Sequence, residues 1–170
     1  MAYHKLYIQK TGATVAYDTL GTFGLWGMEV PFQIAGEIKD LPANDWKDES
    51  GEEEYLPAVL PMKAYDMTVK LGYKGPRGTG REHLTAFFDY LRGKKWTLNG
   101  RKHDGDGTEL MVYSELTATG RQGVRLKSIK DAAEYVVEDT QEAVMIEVIF
   151  KVNDPDTDVV LKDGRLTALT

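Results

Sequence analysis

The 170-residue chain has no cysteine, which excludes disulfide scaffolds, thiolate zinc sites, iron–sulfur clusters and cysteine nucleophiles. Its three serines lie outside any Gly-x-Ser-x-Gly motif, and its three histidines are not spaced as metal ligands. No apolar run approaches the ~18 residues that span a bilayer, and the first residues lack the apolar stretch of a signal peptide. We therefore expect a soluble protein that is not an enzyme, holds no metal and has no membrane partner.

Basic residues are also too few for a protein that coats nucleic acid. Lys and Arg number 21 against 27 Asp and Glu, so the net charge is -6 and no basic stripe is available to phosphates. Hydrophobic residues make up 42% of the chain, enough to fill a core. The length predicts a single domain over residues 1–170.

Two segments alternate apolar and polar residues with the period of a β-strand. In residues 65–73 one face is apolar, which is typical of a half-buried strand. In residues 144–152 the second face is also partly apolar, which indicates a central strand of a sheet. Weaker strands are predicted at 5–9, 110–115, 123–129, 135–138 and 159–162.

One segment has the period of a helix. Its apolar stripe consists of Leu84, Phe87, Phe88 and Leu91. Thr79 and Glu82 have the spacing of a capping box, in which each side chain accepts a hydrogen bond from a free backbone N–H of the first turn. Gly93 stands where a left-handed residue would end the helix.

These elements predict an α+β fold that is mainly β. The sheet is expected to be antiparallel, as a β-sandwich or a partly closed barrel, with one amphipathic α-helix packed on it. No other segment has a comparable helical period.

A glycine-rich turn at residues 75–82 follows a strand and opens the helix, as a phosphate-binding loop does. Arg81 and Glu82 stand where that loop needs Lys and then Ser or Thr, and a carboxylate there would repel phosphate. The acidic tracts at 48–54 and 104–107 do not fit the twelve-residue calcium loop. We therefore expect no cofactor.

Residues 36–57 form a polar, acidic segment with two aromatic residues embedded in it. This segment is predicted to be a loop or hairpin that projects from the body, since long insertions in compact domains are usually functional or mobile. Trp46 and Tyr55 have no core role by periodicity, which favours contact with a partner.

Several features follow one another in a recognisable order along residues 17–125. They are a turn and strand at 20–25, Glu-Val-Pro at 29–31, Gly-Glu-Ile-Lys at 36–39, the strand at 65–71, the helix end at 88–93 and the strand at 110–113. In this order they resemble the N-terminal domain of the distal tail proteins of long-tailed phages, a relative of the tail-tube fold. Many of those proteins carry a second, carbohydrate-binding-like domain, which we do not expect here.

The resemblance implies a structural subunit, made in the bacterial cytoplasm, that forms a ring, commonly a hexamer, between tail tube and tip of a phage or prophage virion. Its partners would be other copies of itself and other tail proteins, with DNA only passing through the lumen. In that family the long hairpin and open sheet edges make subunit contacts. The predicted interface residues of this chain are Lys39, Trp46, Asp48, Glu52 and Tyr55.

A second hypothesis needs no assembly. A stand-alone β-sandwich that binds a carbohydrate or a protein partner would also expose aromatic residues. The two hypotheses differ in their expected mass in solution, because the second predicts a monomer.

Overall fold

One antiparallel sheet of seven strands forms the body in the computed structural model, which describes residues 4–137 and 139–169. The strands and helices are β1 (Leu6–Lys10), β2 (Tyr17–Asp18), α1 (Thr19–Phe23), β3 (Leu25–Glu29), β4 (Ala43–Asn44), β5 (Glu53–Glu54), β6 (Tyr65–Pro76), α2 (Gly80–Leu91), β7 (Trp96–Leu98), β8 (Arg101–His103), β9 (Leu110–Ser114), β10 (Thr119–Val137), β11 (Gln141–Val152), β12 (Val159–Lys162) and β13 (Arg165–Ala168).

The order of strands in the sheet is β2-β1-β9-β10-β11-β6-β3. An isolated bridge joins His4, two residues before β1, to Gly27 on β3, so the two sides of the sheet meet at one point without closing a barrel. The predicted class, mainly antiparallel β with a packed helix, is confirmed. The sequence predicts either a β-sandwich or a partly closed barrel. The curled single sheet is closer to the partly closed barrel.

The two strongest strand predictions are confirmed. β6 and β11 pair along their whole lengths, from Tyr65 opposite Val152 to Pro76 opposite Gln141. β11 lies between β10 and β6, as a central strand should. The predicted separation of 123–129 from 135–138 is wrong, because both belong to β10, whose register with β11 shifts between Lys130 and Glu134. Residue 138 lies outside the described residues.

α2 covers the core with a face slightly different from the predicted stripe. Phe87 and Leu91 are buried as expected, whereas Leu84 and Phe88 are only partly buried and Tyr90 is 2% exposed. The helix is rotated towards Tyr90 because that ring packs against an aromatic cluster around Phe23. Gly93 has a φ of 77°, as predicted for the end of the helix.

The expectation of one helix is corrected by α1, which is too short to show a helical period. The features that mark the two ends of α1 are local capping contacts. The Asp18 carboxylate accepts a hydrogen bond from the Leu20 N–H, and Gly24 ends the helix in the left-handed conformation. Phe23, at its last position, is fully buried.

The predicted capping box is wrong. The Thr79 hydroxyl lies 2.6 Å from the Pro76 carbonyl and 2.6 Å from the Tyr73 hydroxyl, and makes no cap. The free N–H of Gly80 instead donates to the buried carboxylate of Glu142 on β11 at 2.6 Å. A negative charge at this end of α2 is also favoured by the helix dipole.

We expect Glu142→Ala to reduce the free energy of unfolding by about 1.5–3 kcal/mol, because a charged acceptor is removed from a buried N–H. Glu142→Gln keeps an acceptor oxygen and should lose less than half of that amount. Urea denaturation of both variants against the wild type measures the difference. Equal losses in the two variants would contradict a capping role for the carboxylate.

Candidate functional site

A long excursion between β3 and β6 forms an arm, defined here as residues 37–63. Its stem is a short ladder. The Lys39 N–H donates to the Pro61 carbonyl at 2.8 Å, the Lys63 N–H donates to the Glu37 carbonyl at 2.7 Å, and Ile38 bridges Met62 between them. Beyond the stem, the arm tip, residues 43–54, is a hairpin in which β4 pairs with β5.

The chain that leads into the arm is anchored to the body at Gln33. Its N–H donates to the Tyr65 hydroxyl at 3.4 Å, and its carbonyl accepts from the Arg121 guanidinium at 3.2 Å. Arg121 is only 5% exposed and also forms an ion pair with Asp158. Burial raises the pKa of Tyr65 above its ordinary value.

The arm is exposed, acidic and rich in apolar side chains. It has eight carboxylates against three lysines, and six of those carboxylates, with one lysine, belong to the tip. Of the twelve large hydrophobic residues that are exposed among the described residues, six lie on the arm. These are Ile38, Trp46, Tyr55, Leu56, Val59 and Leu60. A concentration of this kind marks an interaction surface.

The structure brings all five predicted interface residues onto this arm. Lys39 lies in the stem, Trp46, Asp48 and Glu52 lie in the tip, and Tyr55 follows β5. All five are exposed, Trp46 by 53% and Tyr55 by 67%. Their role in an interface stays a prediction.

Trp46 is held in place although it is exposed. Its indole N–H donates to the Glu53 carboxylate at 3.2 Å, and its carbonyl accepts from the Glu49 N–H at 3.2 Å. The ring is therefore presented by a hydrogen-bonded hairpin, which lowers the conformational entropy lost on binding.

A groove that the sequence analysis missed lies on the body, beside the hairpin of β7 and β8. Its wall contains Trp96, on which His103 stacks with a ring-centroid distance of 3.9 Å and an interplanar angle of 10°. The turn is Asn99-Gly100, with positive φ at both residues. This dipeptide between alternating residues is a strong hairpin signal, and it could have located the element.

The groove has a volume of about 470 Å³. Its lining residues are Tyr17, Thr22, Trp96, Leu98, Asn99, Arg101 and His103. Residues 92–103 around it contain five basic side chains and no carboxylate. Among the described residues only Lys94 of these five has a carboxylate partner, Asp89 at 3.9 Å. Within the groove Trp96 and Leu98 are almost fully buried, whereas Tyr17, Thr22 and His103 are partly exposed. The basic side chains surround its mouth, and one carboxylate, that of Glu82, contacts its rim at the Asn99 N–H.

Among the comparisons with known proteins, the one with solved structures is informative. No family model and no curated protein matches the chain. The fold is similar to the crystal structure of the SPP1 Dit (gp 19.1) protein, described as a paradigm of the hub adsorption apparatus in phages that infect Gram-positive bacteria. The TM-score is 0.54 at 11% identity, and the match covers 92% of this chain and 52% of that one. This chain therefore spans about half the length of its structural neighbour, and the likeness is one of fold.

Two further findings concern metal ions and membranes. Among the described residues, no group of His, Asp and Glu is arranged to hold a metal ion. Neither of the two helices among the described residues has both the length and the hydropathy that are needed to cross a bilayer.

An adjoining cleft of about 710 Å³ shares Tyr17, Trp96 and His103 with the groove and also contains Lys10. Lys10 is 3% exposed, and its ammonium group donates to the carbonyls of Tyr90 and Gly107. It lies 4.5 Å from the centroid of the Tyr90 ring. Burial lowers the pKa of Lys10 to about 8, although Asp106 opposes the shift.

The lowered pKa of Lys10 predicts that stability rises with pH. Between its folded pKa of about 8 and its ordinary value of 10.5, the unfolded chain binds more protons than the folded one. From about pH 7.5 to about 9.5 the free energy of unfolding should rise by about 2 kcal/mol, measured by urea denaturation.

Lys10→Met should remove that rise, whereas Lys5→Met, at a more exposed side chain, should keep it. The window stops below pH 10 because tyrosines of the unfolded chain ionise there, while burial raises the pKa of Tyr90 in the folded state. A flat wild-type profile would contradict the assignment.

Proposed function

We propose that this protein is a non-enzymatic structural subunit of a phage or prophage tail that assembles with copies of itself into a ring, joining tail tube to tip. The observation that carries the proposal is the likeness of fold to SPP1 Dit over 92% of this chain. A ring of identical subunits needs a heterologous interface, in which one surface of each copy meets a different surface of the next.

The arm supports the same proposal. It presents a row of apolar side chains to solvent on a scaffold braced by main-chain hydrogen bonds, as a surface that is buried on assembly would do. In this proposal the protein is made in the bacterial cytoplasm and functions in the virion tail. DNA passes through the lumen and is not bound by it.

The first test is the absolute mass in solution, by light scattering behind size exclusion at several concentrations. We expect a species several times 19.0 kDa, near a hexamer, together with rings in negative-stain electron micrographs. A monomer at every concentration would overturn the proposal, and glycan binding in a screen would then favour a carbohydrate-binding module.

A further inference from the structure

We propose that the groove beside the β7–β8 hairpin is the site that receives the acidic arm tip of a neighbouring copy, with Trp46 inserted among its aromatic side chains. This inference rests on the proposed self-assembly and names the surface on the receiving subunit.

Charge complementarity is the first argument. The arm tip has six carboxylates and one lysine, whereas residues 92–103 have five basic side chains and no carboxylate. Arg101 and Lys102 are exposed and have no ion-pair partner among the described residues. Opposite charges across an interface steer association and disfavour wrong pairings.

Shape and chemistry give the second argument. Trp46 is a large apolar ring, 53% exposed, on a convex hairpin, and an aromatic anchor of this kind is stabilised in a partner's pocket. Trp96 is only 3% exposed, so the groove offers the partly exposed rings of Tyr17 and His103 beneath a mouth surrounded by basic side chains. Edge-to-face packing with those rings and contact with the Arg101 guanidinium both favour an indole.

The adjoining cleft is a poorer receptor, because Asp104 and Asp106 are among its lining residues. They would repel the carboxylates of the arm tip. The groove itself has no acidic residue in its lining. The two acidic residues thus direct the tip to the groove rather than to the larger cleft.

Cross-linking tests the contact directly, since the chain has no cysteine of its own. Ser50→Cys places a thiol in the arm tip, and Thr22→Cys places one in the groove lining. When the two single variants are mixed and treated with a short bismaleimide, we expect a product of twice 19.0 kDa in which mass spectrometry joins residues 50 and 22. Thr117→Cys, at an exposed turn, is the matched control for Thr22→Cys and should give at least about tenfold less of the mixed product.

Charge reversal tests the energetics. Arg101→Glu with Lys102→Glu should weaken self-association at least about 30-fold, and so should Glu52→Lys with Glu54→Lys. Mixing these two proteins should restore assembly, because each arm then meets a groove of opposite charge. The matched control is Lys162→Glu with Arg165→Glu, on another exposed hairpin, which should assemble as the wild type does.

The outcomes separate the two proposals. A wild-type chain that remains monomeric overturns self-assembly and this inference together. A wild-type chain that assembles, but tolerates the groove reversal and gives no link between residues 50 and 22, overturns the groove assignment and leaves the ring proposal standing. A link within one copy cannot arise in the mixture, because each protein has a single thiol.

Discussion

Phe23→Ala should reduce the free energy of unfolding by about 3–5 kcal/mol, a large share of the stability of an ordinary domain. Phe23 is fully buried at the end of α1. Its ring centroid lies 5.0 Å from that of Trp96, 5.2 Å from that of Phe87 and 5.5 Å from that of Tyr90. Truncation leaves a cavity among three rigid rings that cannot easily collapse into it.

Urea denaturation checks this value, with Leu20→Ala as the control. Leu20 lies on the same short helix but is 36% exposed. The free energy of unfolding of Leu20→Ala should therefore stay within about 1 kcal/mol of the wild-type value. Phe23→Leu should fall between the two variants. If Phe23→Ala and Leu20→Ala had equal stability, the aromatic cluster would not be the centre of the core.

Shortening the arm tip should abolish self-assembly without unfolding the body. Replacing residues 45–52 by Asn-Gly keeps the pairing of β4 with β5, because this dipeptide closes a two-residue hairpin. The variant loses Trp46 and most of the tip carboxylates. Loss of one aromatic anchor alone weakens an interface by about 2 kcal/mol or more, which is at least about 30-fold in the association constant.

Light scattering should therefore show the shortened chain as a monomer at concentrations where the wild type is assembled. At a dilution where the wild type is also a monomer, the two thermal midpoints should be equal, because every replaced residue is exposed. Leu116→Ser, at an exposed position far along the chain from the arm, is the control and should assemble normally. If the shortened chain still formed rings, the tip could not be an essential part of the interface.

The body of this fold could be predicted from its periodicity because its strands are long. In β6 and β11 one face is buried and the other is more exposed over many residues. The sequence therefore alternates apolar and polar residues with a period of two. The predicted segment at 159–162 coincides with β12, although that strand has only four residues. The acidic segment could be located because its composition differs from that of the core.

Contacts between distant residues could not be predicted. The cap of α2 comes from Glu142, 62 residues after Gly80, so the local Thr79–Glu82 pattern was misleading. Glu82 instead accepts a hydrogen bond from the Asn99 N–H at 3.3 Å and ties the helix to the β7–β8 hairpin. The groove is lined by two segments that are distant in the chain, residues 17–22 and 96–103, so no single segment contains it.

The position of the arm in the chain has a consequence for how such proteins diversify. β3 and β6 are hydrogen-bonded neighbours in the sheet, so everything between them is an insertion at one hairpin connection. The stem brings its own two ends together through Lys39 and Lys63. A gene could therefore replace this segment by recombination without altering any register in the sheet.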